Sequence, residues 1–388
     1  MKFDILYNEV DSKLLLERIN QTYDDEMRAF VSHSLDYKNI CFKLEGINKL
    51  QLMLIKSMEA YGLNVADRND LRNTNPEFCK LQTDNEDIQA YYHTLIKNTK
   101  GLCKMLQEEN FDVELSYILP LSTLCNVYVD MSVRNFLRFI QTCIKYKELY
   151  TIFECIQDTK IVDDLLYLSY EYSPNLETGF DLYLNELVDP IPRGDVTDKE
   201  LNNPPVVFET PLVKIAEVAK ATGDVVAGKM TLNSVMTCSY ACYDGLLNLG
   251  HSKRIKIENP LQVMNSPECY DINVTLPQSI LQSKHVDLVY DILNGWVKLI
   301  NLINNIDVDV FADALLAQVG AMMIVYKHTT TIEDDWKFMQ EDHKYNEELL
   351  AIRSGRLYAL CNSSLAESYN WINDYDDMIN GAYDMDFI

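Results

Sequence analysis

The sequence predicts an α+β protein of two tandem, helix-rich domains, and three observations carry that prediction. The first is the stretch Leu119 to Ile156, which opens with a Leu-Pro turn and alternates apolar and polar residues through Val127, Val129 and Met131. It then changes period, so that Val133, Phe136, Leu137, Ile140 and Ile144 share one helical stripe, as expected of a short strand running into a helix with a buried face. The second is an ordered internal echo. Phe3 to Tyr7 has a counterpart in Val206 to Thr210, Asp112 to Leu115 in Asp307 to Val310, and Lys145 to Leu149 in Lys344 to Leu349. The offsets are about 195 to 200 residues and keep their order, the trace that a tandem duplication with small insertions leaves. The third is a stretch between the halves with Pro190, Pro192, Gly194, Pro204 and Pro205. Proline fixes φ and removes backbone donors, so this stretch reads as an extended linker. The expected domains are residues 1–188 and 206–388, joined by a linker over 189–205.

Within the first domain, Asp163 to Leu187 reads as one more amphipathic helix or hairpin that closes it. On the helix after Met131, Arg134, Asn135, Arg138 and Gln141 fall away from the apolar stripe. Two guanidinium forks and two amides near a helix start can bind an anion such as a nucleotide phosphate, because free N–H groups there also favour negative charge. The same spacing fits a solvated or interface face.

The order Leu-Pro, Ser-Thr, short strand, then x-x-Arg-x-x-x-x-Phe resembles the C-terminal motif of the flavin-dependent thymidylate synthases, the thymidylate-synthase-complementing fold. Ile40-Cys41-Phe42-Lys43-Leu44-Glu45-Gly46-Ile47-Asn48-Lys49 is similar to that family's Phe-x-Ile-Glu-Gly-Val-Ser-Arg segment. Tyr91 to Pro120 is similar to its helix, acidic turn (Asp112, Glu114) and Leu-Pro. The resemblance covers roughly residues 1 to 160 and rests on order and spacing. It implies a small, mainly antiparallel sheet in each domain, an FAD cofactor and a deoxyuridylate substrate.

The family's chemical residues are mostly replaced. Its Arg-His-Arg-x-x-Ser-x-Asn-x-x-Ser-x-Arg signature falls on Lys56, Ser57, Met58, Tyr61, Leu63, Ala66 and Arg68, of which Arg68 matches and Lys56 is conservative. An arginine that polarises the pyrimidine, and the Gln and Glu that follow it, fall on Cys143, Leu149 and Thr151. A redox flavin site needs donors for a diphosphate and for pyrimidine carbonyls, which thiol and alkyl groups do not supply. Loss of an arginine that stabilises transition-state charge costs roughly a thousandfold in rate. Arg134 stays in place. The candidate nucleotide-binding residues are therefore Arg134, Arg138, Arg68 and Lys56, with no assignable catalytic or cofactor-binding residue.

Composition bounds the function classes. The formal net charge of −25 disfavours direct nucleic-acid or anionic-membrane binding, which needs clustered Lys and Arg. It suits a soluble protein, a basic protein partner, or an acidic decoy that imitates nucleic acid. No apolar run is long enough to span a membrane, and Met1-Lys2-Phe3-Asp4 offers no signal peptide. The ten cysteines include no Cys-x-x-Cys pair, and Cys238-x-x-x-Cys242 has no nearby histidine pair, so no metal site is expected. Reduced, packed thiols point to a cytoplasm, the host's if the gene is viral.

In the second half, His251 lies near the signature position, and Glu333, Asp334 and Asp335 replace the basic helix start ahead of Trp336 and Phe338. Carboxylates there suit the helix dipole and repel a phosphate, so this copy reads as structural. The tail Trp371 to Ile388 mixes aspartates with Tyr375, Tyr383 and Phe387, either a frayed end or a docking segment for a basic partner. The family forms homotetramers, so a tandem chain is expected to form a homodimer, with helices over 88–109 and 283–304 supplying packing. The reading is a diverged, non-catalytic relative of the synthase acting as a structural or interaction protein, one that still holds a nucleotide. An active flavin-dependent enzyme of nucleotide metabolism and the acidic decoy are the alternatives.

Overall fold

A computed structural model of the chain describes residues 1–9, 38–67, 75–112, 114–165, 179–180, 182, 206–209, 214–217, 222–224, 229–249, 274–305 and 311–331. Arg68, the stretch 189–205, most of Asp163 to Leu187, the turn at His251, Glu333 to Phe338 and the tail from Trp371 lie outside the described residues. Those described form an α+β fold with small antiparallel sheets. In chain order the elements are β1 (Lys2–Asn8), β2 (Asn39–Asn48), α1 (Lys49–Ser57), β3 (Asn64–Asp67), α2 (Glu86–Glu108), α3 (Leu115–Ile118), β4 (Leu124–Ser132), α4 (Val133–Lys145) and α5 (Tyr150–Ile156). They continue with β5 (Val206–Glu209), β6 (Lys214–Glu217), β7 (Thr222–Asp224), β8 (Lys229–Ser239), α6 (Tyr240–Leu249), α7 (Gln278–Leu281), α8 (Val286–Asn304), α9 (Phe311–Leu316) and β9 (Met323–Thr331). No helix among the described residues is long and apolar enough to cross a membrane.

The chain divides into two compact units that do not follow sequence order. The first holds Met1–Gln107, Pro120–Tyr183 and Gly295–Gln318; the second holds Glu108–Leu119, Leu184–Asn294 and Val319–Ile388.

The first unit is built on a sheet of order β1-β2-β4-β3, antiparallel throughout. Alternation sets its inner face, since Ile40, Phe42 and Leu44 of β2 lie opposite Met131, Val129 and Val127 of β4 and all are buried. A register shift after Glu45 turns Gly46 to φ +72°, where glycine is unstrained, and returns Ile47 to the core. The Phe42 ring contacts Phe3, Phe136 and Phe139 at 5.3 to 5.6 Å, joining the sheet to α4.

Asn48 ends β2 and starts α1 through a capping box. Its side chain accepts from the Gln51 N–H at 2.8 Å while Gln51 Oε1 accepts from the Asn48 N–H at 3.1 Å. The helix α2 begins with a one-way cap, Asn85 accepting from the N–H groups of Asp87 and Ile88. It buries Ile88, Tyr92, Leu95, Thr99, Leu102 and Leu106 on one stripe. Trp296 of α8, fully buried, meets Tyr92 edge-on at 5.8 Å and donates from Nε1 to Thr99 Oγ1 at 3.1 Å. Asp313 of α9 is also buried and accepts from the N–H groups of Gln82 and Thr83 at 2.7 and 2.8 Å. A second-half segment thus packs against a first-half helix and the loop before it.

In the second unit β8 is the central strand, paired antiparallel with β7 over Lys229–Thr231 and β6 over Ser234–Thr237, and with β9 over Thr231–Ser239. By pairing, β6 stands to β8 as β1 stands to β2, whereas the sequence echo points to Val206 to Thr210, at β5. Here Tyr117 and Leu119 accept main-chain hydrogen bonds from Ala321 and Gly320 at 2.7 and 3.1 Å. A Cβ at Gly320 would overlap the Ser116 carbonyl, so that crossing requires glycine. Glu109 bonds His285 at 3.1 Å and also pairs with Lys284.

Candidate functional site

The chain leaves β4 at Ser132, whose extended backbone and hydroxyl cap α4 by accepting from the Asn135 N–H at 3.2 Å. Arg134 and Asn135 then lie in the first turn, which itself contains no acidic residue. A cation at that end opposes the helix dipole and costs helix stability, on the order of 0.3–1 kcal/mol. The Asn135 side chain is committed elsewhere, donating from Nδ2 to the Tyr61 carbonyl at 3.0 Å.

Arg138, one turn further, is half-buried beneath two aromatic rings. Its guanidinium carbon lies 4.4 Å from the Phe180 ring centre and 5.7 Å from that of Tyr61. The two rings stack on each other at 4.9 Å with planes 25° apart. Burial lowers the Arg138 pKa, Tyr61 opposes that shift and the neighbouring Arg134 adds to it. An arginine starts so high that it stays charged at neutral pH.

Phe180 is held over the helix by main-chain bonds to hydroxyls. The Phe180 N–H donates to Thr142 Oγ1 at 2.6 Å, and the Leu182 N–H donates to Tyr146 Oη at 3.0 Å. Thr142 itself donates to the Arg138 carbonyl at 2.7 Å. A Cβ at Gly179 would stand 2.7 Å from the Thr142 nitrogen, so only glycine allows this approach. Phe139, Thr142 and Cys143, which the single apolar stripe does not include, are also buried, whereas Ile144 within that stripe is 36% exposed.

The four candidate nucleotide-binding residues are thus not equivalent. Arg134 and Arg138 share one face of α4, Lys56 at the end of α1 keeps only 2% of its surface exposed, and Arg68 lies outside the described residues. The structure adds Tyr61, Phe180, Thr142 and Tyr146 to this neighbourhood. Tyr61 falls within the overlaid signature. Nothing in local spacing marks Phe180, because its contacts are to residues far away in sequence.

The positions where the resembled family carries its pyrimidine arginine, Gln and Glu are structural here. Cys143 and Leu149 are fully buried, and burial pushes the Cys143 thiol pKa far up. Thr151 Oγ1 accepts from Gln51 Nε2 at 2.8 Å, and the same nitrogen donates to the Glu148 carbonyl. Among the described residues no group of His, Cys, Asp and Glu is arranged to hold a metal ion.

No family model matches the sequence, and no curated protein matches it. Among solved structures, the chain is similar to the flavin-dependent thymidylate synthase ThyX of Helicobacter pylori, solved with FAD and dUMP. That similarity has 14% identity and a TM-score of 0.30, and it covers 45% of this chain and 99% of the other.

Proposed function

We propose that this protein is a diverged, non-catalytic relative of the flavin-dependent thymidylate synthases, acting as a structural or interaction protein that still binds a nucleotide at the start of α4. The observation that carries the reading is Arg134 in the first helical turn. It shares a face of the helix with Arg138 and lies within electrostatic reach of it, two guanidinium forks that suit an anionic ligand. Loss of catalysis is supported by what fills the family's polar positions. A buried thiol, a buried leucine and a threonine engaged by Gln51 offer no charge to a developing pyrimidine anion.

The wider organisation belongs to the same reading. Residues 1–188 and 206–388 are two copies of one domain, joined by 189–205, and two chains associate as a homodimer. The like pairing of β1-β2-β4 and β6-β8-β9 supports the duplication. The net charge of −25 favours a basic surface on any protein partner.

The test is titration of the purified chain with deoxyuridylate, with light scattering for mass. Binding that weakens about tenfold or more in Arg134→Ala supports the site. Unchanged affinity removes it. A flavin band that survives desalting, together with thymidylate formed from deoxyuridylate and methylene-tetrahydrofolate, overturns the non-catalytic reading. A monomer at every workable concentration overturns the homodimer.

A further inference from the structure

The two halves run through like elements in like order, α2, α3 and β4 in the first and α8, α9 and β9 in the second. The main-chain bonds at the entry to β4 and β9 also match position for position. Thr123, one residue ahead of β4, accepts from the N–H of Lys49 at the start of α1 at 3.0 Å. Met322, one residue ahead of β9, accepts from the N–H of Tyr240 at the start of α6 at 3.1 Å. Phe78 bridges Thr123 as Val274 bridges Met322.

The bonds that join one half to the other match as well, and they are reciprocal. In the first unit Leu121 and Ser122, three and two residues ahead of β4, donate from their N–H groups at 2.8 and 2.9 Å. Their acceptors are the carbonyls of Gln318 and Leu316, five and seven residues ahead of β9. In the second unit Gly320 and Ala321, three and two residues ahead of β9, donate at 3.1 and 2.7 Å to Leu119 and Tyr117, five and seven residues ahead of β4. Each unit thus takes the stretch before that strand from the opposite half, Gly295–Gln318 in the first and Glu108–Leu119 in the second. Both stretches bring buried apolar side chains, Leu115, Tyr117 and Ile118 in one and Trp296, Leu315 and Leu316 in the other. Contacts that repeat with the roles of the two sides exchanged define an isologous interface.

We propose that this crossing is an isologous protein–protein interface closed within one chain, in which each half is the binding partner of the other and the two exchange the stretches ahead of β4 and β9. The inference rests on the two-copy reading above and deepens it by naming the partner. Association then resides in the crossing and not in the covalent joint over 189–205.

The test cuts the folded full-length protein at a protease site placed within 189–205. The two pieces are expected to elute together at the volume of the uncut protein, and to do so in about 1 M salt, because main-chain bonds and apolar contacts are not screened. Gly320→Ala, whose methyl would overlap the Ser116 carbonyl, should let the cut pieces part at a concentration about tenfold higher or more. If that variant does not melt cooperatively, Trp296→Phe carries the test. It removes only the donor to Thr99 and should weaken the hold about threefold to tenfold. Wild-type pieces that separate, each of them folded, overturn the exchange and leave the two copies standing. Separation into one folded and one unfolded piece overturns both, because like domains should stand or fall alike. Variants that hold together as firmly as wild type place the association outside the crossing and overturn the exchange.

Discussion

Arg138 holds its guanidinium 4.4 Å from the centre of the Phe180 ring, and this contact half-buries a side chain on what looks like an open basic face of α4. Arg138→Ala should lower unfolding free energy by about 1–2 kcal/mol through loss of stacking on two rings. Arg138→Lys should recover only part of that, because an ammonium lacks the flat face that lies on Phe180. Urea denaturation of the three proteins checks this. Equal stability of Lys and Arg would show that charge alone holds the contact.

Gly179→Ala should release the same segment by sterics. The added methyl would sit 2.7 Å from the Thr142 nitrogen and 2.9 Å from its hydroxyl, and neither can retreat without disturbing α4. A loss of about 1–3 kcal/mol is expected, together with faster exchange of the Phe180 amide proton. An unchanged melting curve would mean that the segment does not lie this close to the helix.

Asp313 links stability to pH. Burial raises its pKa above the ordinary carboxylate value, only partly offset by the N–H groups of Gln82 and Thr83. The native state therefore holds this proton more tightly than the unfolded chain. The stability contributed is fully present below the unfolded value of about 3.9 and is lost as pH rises through the raised native value. In Asp313→Asn that dependence vanishes, so the wild-type advantage over the variant should shrink as pH rises from about 4 towards 7. The variant should also lose about 1–3 kcal/mol throughout, because an amide can accept from only one of the two N–H groups without opposing the other. Parallel stability curves across this range would refute the assignment.

Burial also predicts which thiols stay silent. It pushes Cys79 up to about 11 and Cys103 up to about 12, and it raises Cys143 further. Alkylation at pH near 8, mapped by mass spectrometry, should spare all three in the native protein and modify them after denaturation. Among the described cysteines, the half-buried Cys41 and Cys155 should react before these three, since their burial and the rise it causes are smaller. Rapid native labelling of Cys103 would show that the α2 stripe opens to solvent.

Much of the first sheet was legible before any coordinates. Alternation at Val127, Val129 and Met131, and the change of period at Val133, gave β4 and α4 because one buried face on each imposes its own repeat. The candidate site was legible only in part. Arg134 and Arg138 stood out as cations on an amphipathic helix, but the aromatic cover of Arg138 comes from Tyr61 and Phe180, neither of which lies within a helical turn of it. Ile144 read as core and proved 36% exposed, while Thr142 and Cys143, off that stripe, proved buried.

The sequence by itself determined the local elements, the absence of an apolar membrane-length run and the acidic balance, because each follows from neighbouring residues or from their sum. Only the tertiary structure decided that Asp313 is a buried acceptor for a first-half loop and that Trp296 completes the core beside Tyr92. It likewise decided that Phe180 occupies the face of α4 that the arginines mark. Hydrophobic period reports that a face is buried and not against what. The partner is fixed by close packing and hydrogen bonds between segments far apart in the chain, which no local pattern records.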